Sequence, residues 1–270
     1  MITELHCHTT ASDGTLSPAE LVERALAQGV ELLAITDHDT TDAIGPARQA
    51  AAGRLELWPA IEMNCSEPGP YEVHVLGYFI DPNHAAMQAV LARIRTAREG
   101  RVAQMVERLQ SLGLGLGMED VRAFARGPSM GRPHLARALV ARGLAADVNQ
   151  AFDRYLAQGQ PAYVPRYSLR PQEAIEVITA AGGLPVLAHP GLIGTDEFLA
   201  GYVQGGLRGL EVYYPAHSSE QIAHFLSLAR RHGLLTTGGS DFHGPGGSAE
   251  LGQMRLPELA LQALREARVG

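Results

Sequence analysis

The chain contains no lysine; all 22 of its basic residues are arginine. That absence removes the lysine of a phosphate-binding loop, a lysine forming a Schiff base with a carbonyl substrate, and any lysine carrying a carboxylate bridge between metal ions. A bridging carboxylate must then come from Asp or Glu. Cysteine is nearly as scarce: Cys7 and Cys65 are the only two, too few for a disulfide framework. With neither a Cys-x-x-Cys pair nor zinc-finger spacing, both read as reduced packing residues in strands. No apolar run has the length of a membrane span, and no basic segment followed by an apolar signal core opens the chain. The expected setting is therefore cytoplasmic, without a membrane partner. The first strand is not followed by Gly-x-Gly-x-x-Gly, so a dinucleotide-binding reading has little support.

What is present begins at His6-Cys7-His8. On a strand, residues two apart face one side, so the two imidazoles project together while Cys7 points away. Asp13 follows in a Ser-Asp-Gly turn that can fold a carboxylate back over the strand end. A divalent metal suits such a set, although two histidines on a strand are by themselves more often a solvated face or a satisfied core pair. Further polar groups recur, nearly all where an apolar strand pattern ends. They are Thr36-Asp37-His38-Asp39, Glu62, His74, Leu187-Ala188-His189-Pro190 and Ser240-Asp241-Phe242-His243-Gly244. His74 is the awkward member, falling in the first half of its strand.

At 270 residues the chain can bury one large α/β core with an insertion. Ser17-Pro18-Ala19-Glu20 predicts a capped helix to about Gln28, and Asp42 to Ala52 predicts another. Strands are expected at Leu32–Thr36, Leu55–Cys65, Tyr71–Ile80, Leu184–Ala188, Gly209–Tyr214 and Leu234–Gly238, with helices at Pro171–Ala181, Asp196–Val203, Ser219–His232 and Pro257–Arg268. Residues 83–159 instead read as helix after helix: Met87–Leu112, Met118–Ala125, Pro133–Arg142 and Val148–Ala157. The expected architecture is a parallel α/β barrel of residues 1–82 and 160–270, interrupted by a helical insertion at 83–159. A closed ring is preferred to an open sheet because only a ring brings so many strand ends to one mouth.

The net charge of −7 argues against a reader of duplex DNA. The charge is uneven, however. His84 to Arg142 holds ten arginines against Glu99, Glu107, Glu119 and Asp120, about +6, leaving the remainder about −13. An ordinary solvated helix surface would look like this, and so would a lid for a polyanionic substrate.

Taken together and in this order, His6-Cys7-His8, Asp13, Thr36-Asp37-His38, Glu62, His74, His189 and Asp241-Phe242-His243 resemble the PHP family, the polymerase and histidinol phosphatase domain. The likeness spans the whole chain, including Gly131-Arg132-Pro133-His134-Leu135-Ala136. Within the family it looks like the stand-alone phosphoesterases acting on nucleoside 3',5'-bisphosphates and short 5'-phosphorylated oligoribonucleotides. The resemblance implies a distorted (β/α)7 TIM-like barrel with two to three divalent ions, Mn2+, Zn2+ or Fe2+. One ion would take His6, His8, Glu62 and Asp241; a second Glu62, His74 and His189; a third Asp13, His38 and His243. Three carboxylates against three such ions leave about +3, which a phosphate and a hydroxide can neutralise. A water bridging two ions near Glu62 would have its pKa lowered towards 7 and could attack phosphorus. Arg132 and His134 would grip a second phosphate, with Arg166 and Arg170 as weaker candidates, unless Arg132 only caps its helix and His134 packs. Asp37 and Asp39 would orient metal-bound histidines, or serve as turn residues. His217, after a strand end, would touch substrate or donate a proton, or lie in solvent; His84, His224 and His232 read as surface or packing residues.

The expected activity is hydrolysis of a phosphate monoester from a nucleoside 3',5'-bisphosphate, or of nucleotides successively from short 5'-phosphorylated RNA. The rivals are a histidinol-phosphate phosphatase with the same centre and a non-catalytic accessory module. The sequence leaves the oligomeric state open.

Overall fold

The computed structural model describes residues 1–69, 71–124, 130–247 and 249–268. The chain forms two compact units, Met1–Val90 with Ser168–Gly270, and Leu91–Tyr167.

The first unit is built on seven strands in sequential order: β1 (Thr3–Glu4), β2 (Leu32–Ile35), β3 (Glu56–Ser66), β4 (Glu72–Tyr78), β5 (Leu184–Leu187), β6 (Gly209–Tyr213) and β7 (Leu235–Gly238). The ring nearly closes where the chain beyond β1 meets the chain beyond β7. There Cys7 bridges Phe242 in parallel, Asp241 N–H donates to His6 O and His8 N–H donates to Phe242 O, both at 2.8 Å.

One strand runs the other way. β4 pairs antiparallel with both β3 and β5, whereas all other neighbours are parallel. This corrects the expectation of an all-parallel barrel. The short link from Ser66 to Glu72 makes a hairpin, which joins antiparallel strands, whereas a parallel return needs a long crossover. The reversal also accounts for His74: the first half of β4 lies at the rim where the other strands end.

The opening strand is shorter than the sequence pattern predicts. A bend at His6 interrupts it, so Leu5 joins the cluster of Trp58, Tyr78, Val186 and Leu264 while Cys7 joins that of Leu21, Ile35, Ala47 and Phe242. Helix α1 (Pro18–Ala27) carries the capping box read from the sequence: Ser17 Oγ accepts from Glu20 N–H at 3.3 Å and Ser17 N–H donates to Glu20 Oε2 at 2.8 Å. Helix α2 (Ile44–Ala51) follows β2, and α3 (Ala85–Ser111) begins after β4.

In the second unit, α4 (Met118–Arg122), α5 (Arg132–Ala141) and α6 (Val148–Ala151) enclose an apolar core that includes Met105, Leu109, Val121, Leu135, Leu139 and Leu156. Ala125, the expected end of the helix at Met118, lies outside the described residues. The helix expected to reach Ala157 ends at Ala151 and continues as a π turn, Phe152–Leu156. Back in the first unit, α7 (Pro171–Ala180) precedes β5, α8 (Leu199–Gln204) precedes β6, α9 (Ser219–His232) precedes β7, and α10 (Glu258–Ala267) packs Leu261 and Leu264 into the same cluster as Trp58.

Candidate metal centre

At one rim of the ring, the nine acids and imidazoles singled out as ligands converge. β3 outruns β2, so Glu62 lies past the end of β2, level with His38, to which it is bridged. Its Oε2 is 3.0 Å from His38 Nδ1, 3.3 Å from His8 Nε2 and 3.4 Å from His6 Nε2; its Oε1 is 3.0 Å from His74 Nδ1 and 3.2 Å from His189 Nε2. His74 reaches Glu62 from the adjacent reversed strand, where Leu76 is the direct partner of Glu62. Asp241 Oδ1 lies 3.1 Å from His8 Nε2 and 3.4 Å from His6 Nε2. Asp13 closes the far side, 3.4 Å from His243 Nε2, 3.7 Å from His38 Nε2 and 3.8 Å from His8 Nδ1.

Four overlapping groups each place their ligand atoms within 4.8 Å of one another: His8, Asp13, His38 and His243; His6, His189 and Asp241; His6, His8 and Glu62; His38, Glu62 and His74. The groups share members, so His8 approaches Asp13 as well as Glu62, and His189 approaches His6 as well as His74. The residues fit divalent ions on their own chemistry. His6 Nε2, both ring nitrogens of His8, His38 Nδ1, His189 Nδ1 and Glu62 Oε2 are buried without a hydrogen-bond partner. Buried polar atoms are normally satisfied, and so many nitrogens and oxygens facing one another call for cations between them.

The electrostatics agree. Burial alone would raise the pKa of Glu62, yet His38, His6 and His74 hold its carboxyl well below the usual carboxylate range. Burial likewise presses His6 downward, but Glu211, Glu62 and Asp241 hold it well above the ordinary imidazole value. His74, opposed by burial, is carried to about 9 chiefly by Glu62, and His243, also opposed by burial, to about 9 by Asp13. His8 goes the other way, lowered by its complete burial. The pocket therefore draws positive charge, as protons or as metal.

Local backbone geometry holds the set. Asp39, His189 and Asp241 adopt φ of 54°, 26° and 52°, a region that costs non-glycine residues about 1–3 kcal/mol each and clusters at functional sites. A Cβ on Gly239 would sit 2.3 Å from His6 Cβ, and one on Gly14 would sit 2.4 Å from His8 O. Only glycine lets the turn bearing Asp13 and the end of β7 approach so closely.

Asp37 fastens that turn. Its carboxylate accepts from Thr9 N–H at 2.7 Å, Thr9 Oγ1 at 2.6 Å and Ser12 Oγ at 2.6 Å. Asp39 accepts from Asn64 N–H at 3.0 Å and from its Nδ2 at 2.9 Å. The expectation for His217 is revised. Its Nδ1–H donates to Val212 O at 2.9 Å and its Nε2 accepts from Gly191 N–H at 3.2 Å, so both nitrogens are committed to backbone and it clamps the loop after His189.

Within the second unit, the Arg132 guanidinium lies 5.5 Å from the Phe152 ring and 5.9 Å from the Tyr163 ring. His134 Nδ1 accepts from Gly131 N–H at 3.1 Å, which assigns the ring proton to Nε2, and burial with Arg137 nearby lowers its pKa.

Two residues at the centre escaped the sequence reading. Glu211, fully buried on β6, lies 2.9 Å from His6 Nδ1; a charged residue inside the apolar run Gly209–Tyr213 was the available signal. Tyr214 donates its hydroxyl to Asp241 Oδ2 at 3.0 Å, and a tyrosine at a strand end carries no comparable mark.

Comparison with known proteins bears on this geometry. The PHP domain family matches residues 4–118. A 3',5'-nucleoside bisphosphate phosphatase of Chromobacterium violaceum is 36% identical over 97% of this chain and 95% of its own. The 5'-3' exoribonuclease Rnm of Escherichia coli K12 is 38% identical over 94% of this chain and 89% of its own. Among solved structures, a candidate metal-dependent phosphoesterase of Bifidobacterium adolescentis superposes with a TM-score of 0.83 at 35% identity, covering 98% of this chain and 95% of that one. With its near-closed ring and its acid–imidazole cup, the chain belongs to the PHP family and is a metal-dependent phosphoesterase.

Proposed function

We propose that the protein hydrolyses the phosphate monoester of nucleoside 3',5'-bisphosphates, or nucleotides successively from short 5'-phosphorylated RNA, or both. The observation that carries the reading is the convergence of partnerless buried imidazole nitrogens on Glu62. The names of the two relatives at 36% and 38% identity supply the substrate class.

Nine residues would hold two to three divalent ions, Mn2+, Zn2+ or Fe2+: His6, His8, Asp13, His38, Glu62, His74, His189, Asp241 and His243. When bound, such ions supply Lewis acidity towards phosphate oxygens and lower the pKa of water. The chain's own residues do the rest. Glu62 presents its two oxygens to different imidazoles and would serve more than one ion. Neutral imidazoles would hold the ions without cancelling cationic charge, leaving the cup receptive to phosphate. Asp37 keeps the Asp13 turn in place, and Tyr214 orients Asp241.

We assign residues 83–159 as a substrate-selecting insertion in the barrel sequence of 1–82 and 160–270, with Arg132 and His134 as the residues that bind the phosphate that is not cleaved. Its excess of arginine supports this reading, as does His134, whose proton on Nε2 makes it a neutral hydrogen-bond donor to a phosphate oxygen. The cytoplasm is the proposed setting, where buried Cys7 and Cys65 stay reduced.

A substrate panel tests the proposal: adenosine 3',5'-bisphosphate, a 5'-phosphorylated RNA trimer and histidinol phosphate, with Mn2+, Zn2+ and Fe2+ in parallel. Turnover of either nucleotide substrate at least about tenfold faster than histidinol phosphate is expected. Preference for histidinol phosphate refutes it.

A further inference from the structure

Glu211 is a carboxylate that the expected ligand set does not include. It has no solvent exposure and sits midway along an otherwise apolar strand. Burying a charge there is costly unless it is paired and hydrogen-bonded, and no arginine hydrogen-bonds to it among the described residues. Its two oxygens instead do different work. Oε1 lies 2.9 Å from His6 Nδ1, and Oε2 accepts the His189 backbone N–H at 2.8 Å. One side chain on β6 thus holds residues that follow β1 and β5.

Both residues belong to the acid–imidazole cup. His6, His189 and Asp241 form one of the converging groups, and the third member, Asp241, receives the Tyr214 hydroxyl at 3.0 Å. No member of the group His8, Asp13, His38 and His243 hydrogen-bonds to Glu211 or Tyr214 among the described residues. The support therefore falls on His6, His189 and Asp241 and leaves Asp13, His38 and His243 without it.

We propose that Glu211 is a positioning residue for the ligands His6 and His189, an inference that rests on the nine residues forming a metal centre. Hydrogen bonding to Glu211 keeps the His6 proton on Nδ1 and leaves Nε2, buried and partnerless, as the ligand atom. The second bond secures the His189 backbone at its φ of 26°, a conformation that needs external support, and so aims that imidazole. A glutamine at 211 cannot replace both bonds. Its single oxygen can accept from one donor, and its amide then confronts the other donor with N–H groups.

The test uses full-length protein stripped with chelator and titrated with Mn2+ or Zn2+, comparing wild type with Glu211→Gln and Tyr214→Phe. Bound metal is counted by mass spectrometry, affinities are measured by calorimetry, and the His6 tautomer is read by nitrogen NMR in the metal-free state. In Glu211→Gln one class of site is expected to weaken about 10–100-fold while another keeps its affinity, and the His6 signal moves towards the Nε2–H form. Tyr214→Phe, which removes only a half-buried hydroxyl, should weaken the same class by a smaller factor. Unchanged metal binding with a lower melting temperature would show a purely structural role for Glu211 and overturn the proposal, as would equal weakening of every class. A wild-type chain that takes up no ion overturns this inference and the metal-centre reading together, whereas a wild type that loads beside unaltered variants overturns this inference alone.

Discussion

Glu62 is the acceptor that most imidazoles share: five histidines lie within 3.4 Å of its two oxygens. Glu62→Gln keeps the shape and removes the charge, so metal uptake and turnover should both fall by more than about 100-fold, beyond the loss typical of outer residues. Metal analysis beside a phosphate-release assay checks this. A second prediction concerns pH in the metal-free protein. His74 and His243 are raised to about 9, so the stability they contribute is complete below the unfolded imidazole value of about 6.5. It fades as pH climbs through 9. Asp13, Asp241 and Glu62 are depressed, so their contribution is present above the unfolded carboxylate value of about 4 and is lost on acidification. Thermal melts of chelator-treated protein should show a maximum between these flanks. Metal loading should flatten the alkaline one, because ions replace the protons on those rings.

Among the elements, β7 and the segment after β1 meet at Gly239. Gly239→Ala would force a methyl group to 2.3 Å from His6 Cβ and 2.5 Å from its backbone nitrogen. Destabilisation of about 1–3 kcal/mol is expected from such overpacking, together with weaker metal binding, measurable by denaturant unfolding and calorimetry. The rim ligands were legible in the sequence because His38, His189 and Asp241 each follow an apolar run, and position after a run survives without coordinates. Strand direction was not legible: the alternation in Glu72–Tyr78 is the same read either way, so His74 looked misplaced until the hairpin placed it. His217 failed for a related reason. A histidine after a strand end looks alike in sequence whether it meets solvent, substrate or, as here, Val212 O and Gly191 N–H. The bend at His6 was equally hidden, because Leu5 and Cys7 are both apolar and fit either face.

At the scale of the whole molecule, charge is segregated, with about +6 on residues 84–142 against about −13 elsewhere. If that arginine-rich stretch selects substrates with a second phosphate, raising salt from 50 to 500 mM should raise KM for a nucleoside 3',5'-bisphosphate several-fold more than for an aryl phosphate monoester whose aryl group is uncharged. Steady-state kinetics across that series measures it, and equal shifts for both substrates would count against the selection. The closure of the ring by Cys7 and Phe242 also bears on biosynthesis. Residues 6 and 8 are translated long before 241 and 243, so the cup they share cannot be complete until the later pair has been made and the two segments have met.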